Sequence, residues 1–78
     1  MPTVLLIGPY RLFFCSSDGN ELLHIQIERD DAVAKYWLEP VRLARSQGFR
    51  GAELRDIERI VVEHQNALIE AWHDYFGH

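Results

Sequence analysis

The chain has 78 residues, 47% hydrophobic and 26% charged, with a formal charge of −4. That length predicts one domain over residues 1–78, marginal alone because a chain this small buries only about 60% of its unfolded surface. The acidic balance argues against nucleic-acid binding through a broad basic surface, no apolar run approaches the ~18 residues of a membrane span, and the single cysteine, Cys15, rules out an internal disulfide, so a reducing, cytoplasmic setting is expected.

Thr3 to Ile7 is short, apolar and partly β-branched, which predicts a strand. Gly8-Pro9 breaks it, and Tyr10 to Ser16 resumes it, so the pair reads as a hairpin. Proline fixes φ near −65°, which makes Gly-Pro an imperfect hairpin turn. Ser17-Asp18-Gly19-Asn20 is the clearest loop signal.

Residues 22–38, LLHIQIERDDAVAKYWL, form two alternating runs around Asp30-Asp31. This is the pattern of a second tight hairpin, with a turn suited to residues that tolerate the left-handed region. Leu23, Ile25 and Ile27 share a face with Ala34, Tyr36 and Leu38. His24, Gln26 and Glu28 share the other with Val33, Lys35 and Trp37. A two-residue turn sets His24 opposite Trp37 and Gln26 opposite Lys35, with Cβ atoms about 4.5–5.5 Å apart. An apolar face packs; a face carrying imidazole, amide, ammonium and indole is the candidate functional surface.

Glu39-Pro40 ends this run. Val41 to Ser46 reads either as a short fifth strand or as an extended connection, and it carries Arg42 and Arg45. From Gly51 to Phe76, Leu54, Ile57, Val61, His64, Leu68, Ala71 and Tyr75 recur at three–four spacing, as in an amphipathic helix. Glu53, Asp56 and Glu58 sit near its start, where the helix dipole favours acids, and Gly77 stops it. Unbroken, this helix is roughly 37 Å long against strands of about 20 Å. It must overhang the sheet, kink near Asn66, or offer its C-terminal half, with Trp72, to another chain. The predicted fold is therefore α+β: a four- or five-stranded antiparallel β-meander packed on one face by a long C-terminal α-helix.

The blocks MPTVLLIGPYRLFF, SSDGNE followed by HIQIE, AKYWLEPVRLARSQGF and ELRDIERIVVEHQNALIEAWHDYF together resemble a small prokaryotic family of unknown function, domain four-one-six-zero, over nearly the whole length. The resemblance implies a gene beside that of a second small protein, in pairs that look like toxin–antitoxin modules. The family pattern has Pro-Pro where Leu22-Leu23 stand, a second histidine at Gln26, Ser at Arg50 and Asn at His73. Lys35, Trp37, His64 and Trp72 fall on matching positions. Of the family's His-x-His pair only His24 carries over, and metal sites need three or four ligands. No metal site and no cofactor is expected.

Two functions follow as expectations. The first is an interaction module of a toxin–antitoxin pair, binding a cognate protein from an adjacent gene and also itself. Its partner-binding residues are Phe13, His24, Gln26, Lys35, Trp37 and Trp72. An aromatic outside the core, as expected of Trp37, is a frequent interface anchor. A marginal chain, an overlong helix and a surplus of aromatics point to self-association. The alternative is a small metal-independent endoribonuclease toxin acting on RNA. There His24, Lys35 and Arg11 are the candidate catalytic groups, supplying a base, an acid and a cation for the phosphate. His64, in the apolar seam of the helix, reads as a core histidine hydrogen-bonded to backbone or to a polar side chain.

Overall fold

Apolar and polar residues alternate from Leu23 to Glu28, which suits a sheet covered on one face. The computed structural model describes residues 3–15 and 20–77. Its elements are β1 (Thr3–Ile7), β2 (Tyr10–Phe13), β3 (His24–Arg29), β4 (Ala32–Leu38), β5 (Val41–Gln47), α1 (Gly51–Glu63) and α2 (Gln65–Phe76). The strands pair antiparallel in chain order, β1-β2-β3-β4-β5, so the fold is the α+β meander read from the sequence. β2 ends at Phe13, short of the predicted Ser16: Phe14 and Cys15 follow it outside the strand, while Ser16 and all of the predicted loop but Asn20 lie outside the described residues.

The turns show how the register is set. Gly8 takes φ 55°, so the β1–β2 turn has its positive φ at the first central residue and leaves Pro9 the negative φ its ring demands. That is the pattern of a type II′ turn, and it makes Gly-Pro workable in this order. In the next hairpin Asp30 takes φ 54°, a conformation aspartate tolerates. From there β3 and β4 pair without a break: His24↔Trp37, Ile25↔Tyr36, Gln26↔Lys35, Ile27↔Ala34, Glu28↔Val33 and Arg29↔Ala32. The register is the one expected of a two-residue turn.

Val41–Gln47 is a full strand rather than a connection. Its pairing shifts between Lys35↔Arg45 and Tyr36↔Leu43, which leaves Ala44 as the extra residue of a β-bulge. The Glu39-Pro40 turn sets Arg42 opposite Trp37, and the bulge brings Arg45 rather than Ala44 opposite Lys35.

Helices cover one face. Leu12, Phe14, Ile25, Ile27, Ala34, Tyr36 and Leu38 meet Ile57, Val61, Leu68 and Trp72 in a continuous buried cluster. The Tyr36 hydroxyl is satisfied there, donating to the Leu54 carbonyl at 2.8 Å. The long helix expected over 51–76 is two helices, broken at His64 (φ −109°, ψ 13°). The kink therefore falls two residues before the expected Asn66. The His64 backbone N–H is shared between the carbonyls of Ile60 and Val61, and its Nδ1 donates to the Ile60 carbonyl at 2.8 Å. Gln65 donates its amide to the Leu38 carbonyl at 2.7 Å, tying the break to the end of β4. Breaking here lets both helices pack on a sheet shorter than their sum.

A polar clamp fixes the start of α1. Arg29 grips both carboxylate oxygens of Glu53 at 2.7 and 2.8 Å, and the Tyr10 hydroxyl donates to the same carboxylate at 2.7 Å. The Arg29 and Tyr10 hydrogen bonds hold the Glu53 carboxyl below its ordinary pKa. Burial, followed by the Glu53 contact, pushes Tyr10 up. Phe49 lines the clamp, its ring 6.3 Å from that of Tyr10 and 5.5 Å from the Arg29 guanidinium.

Candidate functional site

Strand alternation brings Phe13, Gln26, Lys35 and Trp37 to the sheet face that the helices leave open, together with Arg11 and Glu28. These side chains cover one another. Arg11 pairs with Glu28 at 2.7 Å, donates to Thr3 Oγ1 at 2.8 Å and lies over the Phe13 ring at 4.5 Å. Phe13 is consequently buried on the face meant to be open. Lys35 pairs with Glu21 while its ammonium sits 4.8 Å from the Trp37 ring centroid. Gln26 donates to Cys15 Sγ at 3.2 Å. Long cationic stems laid over aromatic rings shield apolar surface while the charged heads stay wet.

Two expected site residues are placed otherwise. His24 pairs with Trp37 as expected, but it is wholly buried. Its ring lies 5.8 Å from Trp37 and 5.1 Å from Trp72 of α2. It stands at the very start of β3, where strand twist and the reach of α2 bring the two faces together. Its Nδ1 donates to the Leu22 carbonyl at 2.8 Å. Trp72, expected to face another chain, is buried against Phe14 (5.4 Å) and Phe76 (4.3 Å). The break at His64 turns the C-terminal half of the helix inward, so Trp72 is a core residue of this chain.

The open face continues onto β5. Arg42 stands opposite Trp37 and Arg45 opposite Lys35, and both are exposed. Arg11 and Lys35 have carboxylates of their own; Arg42 and Arg45 form no ion pair among the described residues. Two hollows flank this strip. One, of about 310 Å³, is lined by Leu22, Leu23, Trp37, Glu39, Pro40 and Arg42. The other, also about 310 Å³, is lined by Gln26, Val33, Ala34, Lys35, Arg45, Ser46 and Gln47. Arg42 follows from the sequence once Glu39-Pro40 is taken as a two-residue turn. Arg45 does not, because no residue announces the bulge.

The family model described as Domain of unknown function (DUF4160) matches residues 10–73. The chain belongs to that family. The matched span of this DUF4160 chain holds β2 to β5, α1 and most of α2, and so the whole strip from Arg11 to Arg45. No curated protein and no solved structure matches the chain.

As a site for phosphoryl chemistry the face does not present the base expected of it. His24 has no accessible surface, and Arg11 and Lys35 are each engaged by a carboxylate. Among the described residues no three His, Cys, Asp or Glu side chains gather as a metal-binding group, and no helix is long and apolar enough to cross a membrane. What the arrangement presents is an indole lining a hollow, two exposed guanidiniums and a sheet edge.

Proposed function

We propose that this protein is an interaction module that binds a cognate protein, encoded by an adjacent gene in a toxin–antitoxin-like pair, through its open sheet face. The observation that carries the reading is the strip Trp37–Arg42–Arg45. It leaves an aromatic and two cations at a surface that the chain's own helices do not cover. Aromatic and arginine side chains are the residues that most often dominate binding energy at interfaces. Trp37 anchors the contact, and the arginines supply orientation and speed of encounter.

Co-expression with the product of the adjacent gene, followed by size exclusion, tests it. The expected result is a stoichiometric complex, weakened about tenfold or more by Trp37→Ala, with Trp37→Ala alone still folded. Separate elution of the two proteins at about 10 μM, well above the affinity of a dedicated pair, overturns the reading.

A further inference from the structure

We infer that the outer edge of β5 accepts an extended acidic segment of a protein partner as a sixth strand of the sheet. This rests on the interaction reading above and specifies the partner's chemistry. β5 is seven residues long, closes the sheet on one side and has six exposed residues. Its backbone hydrogen bonds, among the described residues, run to β4 alone. A row of unpaired N–H and C=O groups is a template for another strand, and strand addition draws affinity from those groups and specificity from pockets for alternate side chains.

The charges choose among occupants. Arg42 and Arg45 lie on the same side of β5 as Trp37 and Lys35. A second copy of β5 laid antiparallel in the register that pairs Arg42 with Arg45 sets like charges directly opposite, which is destabilising. An acidic strand meets them with opposite sign, because β5 carries two arginines and no acidic residue in a chain whose overall charge is −4. The bulge at Ala44 and the arginines are devices that guard an edge against self-pairing. Here the same charges admit a complementary strand. Its side chains on the open face neighbour Arg42 and Arg45, each of which lines one of the two hollows.

The experiment is amide hydrogen exchange of the full chain with three defined probes: a seven-residue peptide alternating Glu and Val, its Lys–Val counterpart, and single-stranded oligouridylate. The acidic peptide is expected to slow exchange within residues 41–47 about tenfold or more at millimolar concentration, and less at high salt. The Lys peptide is expected to leave it unchanged. In the double variant Arg42→Glu, Arg45→Glu the preference between the two peptides reverses, a comparison made within one folded protein. Four results overturn the inference: no protection of 41–47, equal protection by both peptides, protection by oligouridylate alone, or concentration-dependent protection without any probe, which marks a second copy. Because the probes are synthetic peptides, a negative result here leaves the complex with the adjacent gene product standing. Loss of that complex, with the peptide response intact, removes the cognate partner but not the edge.

Discussion

Two tryptophans touch one histidine, and they belong to opposite regions of the molecule. Trp72, on the helix-covered side, packs edge-on to Phe14 and His24 with essentially no exposure. Trp37, on the open side, stands half-buried under the Lys35 ammonium. The same sheet, with the same alternation, makes both surfaces. What separates them is the covering layer: helices on one side, charged stems on the other. Helices exclude water across their width, whereas Arg11 and Lys35 shield only the ring each lies on. The shielding runs out at β5, where Arg42 to Gln47 are exposed.

The largest test of this contrast is to truncate each indole. Trp72→Ala should cost about 3–5 kcal/mol, the usual range for a large aromatic lost from a core. Trp37→Ala should cost about 1 kcal/mol or less, like other substitutions outside the core. Urea denaturation of the two variants decides it. Equal losses would mean that the open face is as much core as the covered one, and the recognition reading would lose its anchor.

A second test lies at the seam where the chain leaves the open edge strand for the covering helix. Gly48 has φ +92°, and a Cβ placed there would meet the Ala32 Cβ at 3.0 Å and its Cα at 3.1 Å. Both the dihedral and the contact oppose a side chain. Gly48→Ala should cost about 1–3 kcal/mol. A neutral result would show that β5 and the connection to α1 shift freely against β4, and the strip Trp37–Arg42–Arg45 would not be a fixed surface.

The contrast between faces was legible in the sequence; its edges were not. Alternation over 22–38 gave every pair of the central hairpin, and three–four spacing gave Ile57, Val61 and Leu68 as the packing face. The break at His64 carries neither proline nor glycine, so nothing local marks it. It answers a tertiary constraint, the length of the helix against the sheet. Alternation gives His24 its register opposite Trp37 but not its burial, because alternation describes a flat ribbon and the end of a twisted strand is not one. The Arg29–Glu53–Tyr10 clamp joins residues far apart in the chain, and no short-range pattern encodes it. Of the candidate site, Phe13, Gln26, Lys35 and Trp37 were found by alternation. Arg45 depended on a bulge that only pairing geometry reveals.

A smaller effect should appear in alkali. Burial pushes the Tyr36 hydroxyl from its ordinary 10.0 up to about 12. Between those values the unfolded chain has released a proton that folded Tyr36 retains, so the folded state binds more protons and stability falls as pH rises. Tyr36→Phe removes that component. Its stability should decline less steeply than wild type from about pH 10 to about 12, in urea titrations at each pH. Tyr10, also raised, keeps some slope in the variant. An unchanged slope would mean that the covered face admits water at Tyr36 and is not the drier of the two.

The smallest effect belongs to the clamp that locks the covering helix to the sheet. Glu53 accepts from Arg29 through both oxygens and from Tyr10 through one, and these bonds favour its ionised form. Its folded pKa lies below the unfolded value, so the unfolded state takes up a proton first as pH falls. The clamp's stabilisation is therefore fully present above the ordinary carboxylate range and is lost as pH drops through the depressed folded value. Glu53→Gln keeps the shape and the acceptor oxygen but not the charge. Wild type should exceed this variant in stability at neutral pH, and the gap should close on acidification and narrow with added salt. Because the clamp sits at the margin of the covered face, the gap should be well below the loss caused by Trp72→Ala. A gap that persisted unchanged into strong acid would show that the clamp holds α1 by shape and hydrogen bonding alone. The covered face would then owe its helix to packing throughout, and charge would be confined to the open one.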